Sequence, residues 1–417
     1  MVGDPKEFLQ NAFQQALMAV NPLNCLPPFL PSRPSGRVIV IGAGKGAAAM
    51  AKAVEENWSG PMAGIVFVPD GYRIACQCID VRESSHPIPD WRSLAAARDT
   101  LRLVENTTLD DLVVCLLSGG ASSLIVSPIT GVSLEEKQSI TGDLLRSGAD
   151  IQEINCVRKH ISTIKGGKLA QACEPANLLT FIISDVVGDD PTVIASGPTV
   201  ADPTTCRDAL GVLDKYRIQA STFIRRSLLD GSIETPKTQI VGATHHIIAR
   251  SADGLNAAQR WIQSQGINAV VIGKSLAGEA RHLAEQTAVT VDDVIAGRGC
   301  CASPCVLLSG GETTVTVKGT GRGGPNMEFS LALALALKGQ SSVWAMACDT
   351  DGADGSSDAA GAFIDPTTLD RISLGGNDAE SLLNNNASLD IFSKLGDLIM
   401  TGPTYTNIND FRAILIL

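Results

Sequence analysis

Charge and aromatic rings are both in short supply. Asp, Glu, Lys and Arg make up 18% of the 417 residues, and Phe, Trp and Tyr only 4%. A globular chain ordinarily carries about 25% charge. With 40 glycines in addition, this is the make-up of a packed α/β enzyme and excludes a disordered or fibrous chain. Positive charge is lacking as well. A formal net charge of −11 argues against nucleic acid or an anionic membrane surface as the main partner, so an anionic substrate must be met by locally placed Lys and Arg. No apolar run approaches the ~20 residues that span a bilayer. The amphipathic opening, with Phe8, Leu9, Phe13, Ala16 and Leu17, lacks the apolar core of a cleavable leader. Cysteine is not scarce, at eleven, but the paired Cys-x-x-Cys spacing of a zinc site is missing. Scattered thiols within apolar stretches (Cys115, Cys156, Cys348) suit a reduced, cytoplasmic protein.

The length exceeds one ordinary core, so two domains are expected. From Val38-Ile39-Val40-Ile41 onward, strand and helix patterns alternate, which predicts parallel sheets with right-handed crossovers. Polar, Pro-containing residues 231–237 form the best boundary. The expectation is therefore two Rossmann-like α/β domains with largely parallel sheets, residues 1–235 and 236–417, with the active site in the cleft between them. The last segment is free to pack back on the first domain. Residues 313–318 alternate apolar and polar side chains and read as a hairpin partner; residues 331–337 read as a buried helix.

One short pattern occurs twice, as Ser118-Gly119-Gly120-Ala121-Ser122 and Ser309-Gly310-Gly311-Glu312, each after an apolar run of strand length. A strand ending in Ser-Gly-Gly turns sharply and aims amides and hydroxyls into one small volume, which is anion-binding chemistry. Glu312, where the first copy has Ala121, suits a metal or a hydroxyl better than a bare phosphate. A third turn, Gly42-Ala43-Gly44-Lys45-Gly46, comes close to the dinucleotide fingerprint and departs from the mononucleotide P-loop. Lys45 there would add a full positive charge at a helix N-terminus, where amides already favour a phosphate or carboxylate. Arg322, within Gly321-Arg322-Gly323-Gly324-Pro325-Asn326, could clamp a transferring phosphoryl group bidentately. The run Asp349-Thr350-Asp351-Gly352-Ala353-Asp354 fails the calcium-loop pattern and better suits Mg²⁺, with Asp189 and Asp190 competing for that role; some of these aspartates simply cap turns. Arg158, Lys165 and Lys168 could share one helix face toward an anion. His86, in Ser85-His86-Pro87-Ile88-Pro89, sits in a rigid turn within reach of substrate.

Taken together these motifs resemble a family. Gly42–Lys45, Ser85–Asp90, Ser118–Ser122, Lys165-Gly166-Gly167, Ser184–Asp189 and Ser196–Thr199 are similar to the N-terminal domain of class II glycerate 2-kinases. Ser309–Thr314, Gly321–Gly324, Asp349–Gly352 and Gly402-Pro403-Thr404 are similar to the accompanying MOFRL domain. The resemblance covers nearly the whole chain. It implies ATP- and Mg²⁺-dependent phosphorylation of D-glycerate at its 2-hydroxyl, with Lys45 and Arg322 as the principal catalytic side chains. Asp189 or Asp351 would hold Mg²⁺ or orient the attacking hydroxyl. Substrate and nucleotide would be gripped by Gly42, Gly44, His86, Ser118, Gly119, Gly120, Ser122 and Lys165 from the first half, and by Ser309, Gly310, Gly311, Glu312, Asn326 and Thr404 from the second. The partners expected are small molecules, ATP and D-glycerate, with a homodimer within what the sequence allows. An NAD(P)H-dependent hydroxypyruvate reductase is the alternative, suggested by the first turn.

Overall fold

The computed structural model describes residues 3–417. Its contacts divide the chain into two compact units: Pro22–Ile248, and Ala249–Leu417 together with the opening helix Pro5–Val20. The division therefore falls after Ile248 rather than after residue 235, and the first helix joins the second unit. Both departures have a local cause. Residues 243–249 complete the first sheet, and the helix buries Leu9, Ala12, Phe13 and Ala16 in one cluster with Leu255, Ala258, Ile262 and Phe411.

The sheet of the Pro22–Ile248 unit contains β1 (Val38–Ala43), β2 (Met62–Val68), β3 (Ile79–Glu83), β4 (Leu112–Leu117), β5 (Asn177–Ile183) and β6 (Ala243–Ala249), in the order β3-β2-β1-β4-β5-β6. The pairings β2–β3, β1–β2, β1–β4 and β4–β5 are parallel. Every residue of β1 and β4 is buried, as apolar runs without alternation require when both faces are covered. Reversal of strand order beside β1 and β4 places the loops after these two strands at the sheet's switch point, where α/β proteins open their ligand crevices.

The second sheet contains β7 (Asn268–Glu279), β8 (Cys305–Thr314), β9 (Val343–Asp349), β10 (Gly361–Ile364), β11 (Leu398–Ile399) and β12 (Asp410–Ile416), in the order β11-β10-β9-β12-β8-β7. Here the parallel expectation holds only for β7–β8. β12 inserts antiparallel between β8 and β9, and β10 and β11 add antiparallel beside β9. The chain enters β12 from β11 through a loop and not a crossover helix, so it must run back antiparallel. β12 therefore lies inside its own unit's sheet.

The second Ser-Gly-Gly copy is no turn. Ser309, Gly310 and Gly311 lie within β8 and pair with Arg412, Phe411 and Asp410 of β12. The pairing with β7 slips around Gly273 and Leu276, and Gly311 adopts φ +133°, where a Cβ would stand 2.0 Å from the Leu276 carbonyl oxygen. Glycine is required at this bulge. The expected hairpin at 313–318 is also absent: Thr313 and Thr314 finish β8, and residues 315–324 carry no strand. The helix Pro325–Leu337 does form, buried from Asn326 through Ala334.

Candidate active site

In the Pro22–Ile248 unit the turns after β1 and β4 are stitched together. The Lys45 amide donates to the Gly119 carbonyl (2.8 Å), and the Gly46 amide donates to the Ser118 hydroxyl (2.8 Å). Gly44 has φ +134°, and a Cβ there would lie 2.1 Å from Ser118 Oγ; only glycine permits this approach. The Ser118 hydroxyl, expected to face a ligand, is turned inward instead and is buried. Beyond the junction the helix Ala47–Asn57 starts at Gly46; the Gly46 and Ala47 amides go to Ser118 Oγ and the Gly44 carbonyl, and the N-cap glycine has no side chain to take the amides that follow. Lys45 is half-buried beside them. His86 reaches the same turn: a Cβ on Gly120, itself at φ +86°, would lie 2.9 Å from the imidazole Cδ2.

Behind Gly120 the short helix Ala121–Leu124 leads to a polar cluster. Lys165 Nζ donates to the Ser122 carbonyl (2.9 Å), and the Ser122 and Ser196 hydroxyls lie 2.8 Å apart. Ser196 Oγ donates to Asn155 Oδ1 (3.0 Å), which also receives Arg158 Nη1 (3.3 Å). Arg158, Lys165 and Lys168 do not share one helix face, because Arg158 ends one helix, Ile151–His160, Lys165 lies in the following turn, and Lys168 opens another helix. Lys168 is directed to backbone carbonyls of His160, Ser162 and Ile233. Asp189 follows β5, half-buried at φ +54°, with its amide on the Val186 carbonyl (3.1 Å).

In the other unit, polar groups gather where β8 and β9 end and β12 begins. Asn326 Nδ2 donates to Asp410 Oδ1 (2.6 Å) and Asp354 Oδ1 (3.3 Å). Thr313 donates through both its amide and its hydroxyl to Asp410 Oδ2, which also takes the buried Arg412. Asp354 caps the helix Pro325–Leu337, accepting from the amides of Asn326 (3.0 Å) and Met327 (2.8 Å). Asp351 is fully buried, accepts from the Ala353 amide (2.9 Å), and receives the Thr404 amide at its carbonyl (3.2 Å). Ser309 is buried and Glu312 exposed. Arg322 pairs with Asp390 (2.7 Å) while its side chain stays 72% exposed. Its glycine loop is anchored rather than loose: the Lys318 and Gly319 amides bond to Asn386, those of Thr320 and Gly321 to Asn385, and the Arg322 carbonyl receives Leu389.

Burial, reinforced by nearby Asp410 and opposed by the two helix amides, pushes the Asp354 carboxyl up to about 7 from the ordinary 3.8. Because the folded value is raised, protonated Asp354 favours the fold. Its contribution is complete below the unfolded value and disappears as pH rises through about 7. Asp354→Asn should therefore flatten the loss of stability between about pH 4 and about pH 7, read from urea midpoints. Equal losses in both chains would show that Asp354 titrates as an ordinary carboxylate.

Sequence reasoning passed over Lys137, Asn155, Asp410 and Arg412, and quoted Ser196 within a motif without giving it a role. One signal was available for Lys137. It falls on the stripe with Ile140 and Leu144 that the helix Leu134–Arg146 buries, and a lysine on an apolar stripe is conspicuous. Arg412 gave none, because its burial depends on β12 lying between two other strands.

Among the described residues, His160, Cys206 and Glu234 form the one close group of metal-capable side chains, and neither Asp189 nor Asp351 belongs to it.

The family described as "Domain of unknown function (DUF4147)" matches residues 8–229, and the MOFRL family matches residues 305–410. The D-glycerate 2-kinase of Thermotoga maritima is 39% identical, over 99% of this chain and 100% of that protein. A protein of Agrobacterium vitis, provisionally named a hydroxypyruvate reductase, is 45% identical over 99% of this chain and 94% of its own. The crystal structure of glycerate kinase from Thermotoga maritima superimposes with a TM-score of 0.90 at 38% identity, covering 99% of both chains. Fold, site and relatives define an α/β kinase built from two units. Its parallel-sheet unit carries the lysine-bearing turn and Asp189, and its mixed-sheet unit the arginine loop with Asp351 and Asp354. The chain belongs to the class II glycerate 2-kinase family, which joins a DUF4147 domain to a MOFRL domain.

Proposed function

We propose that this protein transfers the terminal phosphoryl group of ATP to the 2-hydroxyl of D-glycerate, releasing ADP and 2-phosphoglycerate. The observation that carries this reading is the junction at Lys45. A lysine whose own amide is tied to the Gly119 carbonyl stands at the start of a helix that no side chain caps. Phosphoryl transfer asks for alignment and for cations around spreading negative charge more than for covalent help. Lys45 supplies one such cation, and Arg322, which a surface pair with Asp390 holds only weakly, supplies another. His86 against Gly120 offers an imidazole to a bound hydroxy acid.

The carboxylate of Asp189 or of Asp351 suits Mg²⁺, which prefers such oxygens, whereas the thiol-containing group of His160, Cys206 and Glu234 does not. Bound there with nucleotide phosphates, Mg²⁺ would supply charge neutralisation. All eleven cysteines are unpaired, which supports a reducing, cytoplasmic setting. The reductase alternative has less behind it: Asp70, the acidic residue after β2, is preceded by Pro69 and only loosely matches the ribose-binding position of the dinucleotide fingerprint.

The test is the isomer formed from D-glycerate and ATP. Enolase added without a mutase should convert the product directly to phosphoenolpyruvate. A product that needs the mutase first would place the phosphoryl group on the 3-hydroxyl and refute the assignment.

A further inference from the structure

Two lysines are enclosed in the Pro22–Ile248 unit with a half-buried arginine, Arg158, near them, and among the described residues none of the three has a carboxylate partner. Lys137 and Lys165 are 3% and 2% exposed. Neither makes an ion pair, and Lys165 Nζ reaches only the carbonyl of Ser122. Arg158 spends Nη1 on the Asn155 amide oxygen, and its Nε is buried without a partner. Burial, together with the positive charge of Arg158, brings Lys137 down to about 7, and burial with the charges of Arg158 and Lys137 takes Lys165 well below the lysine range. A buried cation without a counter-charge is costly, so these amines give up protons readily, and titratable groups perturbed in this way cluster at functional sites.

The surroundings are built for a small ligand. Ser122, Ser196 and Asn155 form a hydrogen-bonded row beside the cations. Ala195, Ser196 and Gly197 run consecutively at φ +54°, +62° and +59°, a conformation that residues with side chains avoid and that concentrates at functional sites. Gln138, next to Lys137, donates to the Pro89 carbonyl (2.6 Å) and so ties the lysine's helix to the loop carrying His86. Ser122 in turn sits two residues beyond Gly120, which the His86 ring covers.

We propose that Lys137, Arg158 and Lys165, beside the row of Ser122, Ser196 and Asn155, form the subsite that grips the carboxylate of a short hydroxy acid. The inference rests on the kinase reading and adds the substrate's anchor to it. Almost complete burial of both lysines suits an anion of a few atoms and not a triphosphate, whereas the half-buried Lys45 turn remains the open place for phosphate. In this arrangement the carboxylate end is fixed behind the first Ser-Gly-Gly turn and the hydroxyl end is left toward His86 and Lys45.

The experiment compares the full-length protein with Lys137→Met and Lys165→Met. Each substitution replaces a buried ammonium by an apolar chain of similar length and should preserve the fold, which thermal melting checks. Should one variant fail to melt cooperatively, Arg158→Met takes its place. Calorimetric titration with D-glycerate alone should show at least about a tenfold loss of affinity in each variant, matched by a rise in the KM for D-glycerate, while the KM for ATP stays within about twofold. Unchanged D-glycerate affinity would overturn the proposal. A weakened KM for ATP with D-glycerate binding intact would overturn it too, assigning the cations to nucleotide phosphate. Absence of kinase turnover in the unmodified protein, with D-glycerate binding still dependent on Lys137, would instead sink the kinase reading and leave the carboxylate subsite standing.

Discussion

Lys45→Ala should lower kcat by at least about a hundredfold, with the melting temperature nearly unchanged. The stability expectation follows from what holds the turn together. Its bonds include the Lys45 amide to Gly119, the Gly46 amide to Ser118 and the Gly44 amide to Phe67, all made by backbone that alanine retains. The activity expectation follows from position. A cation at a helix start acts where charge develops on the transferred group, and it is worth most when the transition state holds more negative charge than the ground state near it. Steady-state kinetics with ATP and D-glycerate, run beside thermal melting, separates the two. A variant with turnover close to normal would remove Lys45 from the chemistry.

Arg322→Ala should be comparably damaging to turnover, on the order of a hundredfold or more, for a side chain that contributes little to the fold. Its pair with Asp390 is largely solvent-exposed, and such pairs stabilise by roughly 0–1 kcal/mol. The loop around it is held by Asn385 and Asn386 through backbone amides, so the substitution should not release it. Asp390→Asn provides the control: it removes the partner and keeps the cation, so turnover should survive. If both variants lost activity equally, the ion pair and not the guanidinium would be the functional element.

The first unit was legible because its signals are local. Val38–Ile41 and Leu112–Leu117 are continuous apolar runs ending in glycine turns, and those turns meet at the switch point as a parallel sheet requires. The second unit was less so. Ser309-Gly310-Gly311 has the same letters as Ser118-Gly119-Gly120, yet one is a bulge inside a strand and the other a turn. The difference comes from β7 and β12 pairing on both sides, contacts made by residues far away in the chain. Burial of Ser118 was hidden for the same reason: its hydroxyl looks outward in the sequence pattern and is claimed by Gly46 from another turn. The aspartates divided as their chemistry allows, Asp354 to a helix cap and Asp351 to a turn.

The place of β12 also orders events during synthesis. All six strands of the first sheet are made before residue 250, so that unit can close while the ribosome is still at work. The second sheet cannot: β8 and β9 have no shared edge until Asp410–Ile416 arrives to lie between them. Until then both present open edges of the kind that invites unwanted pairing. The opening helix has Leu255, Ala258 and Ile262 to pack against well before that strand is made, yet its Phe13 meets Phe411, at 5.3 Å between rings, only when β12 is in place.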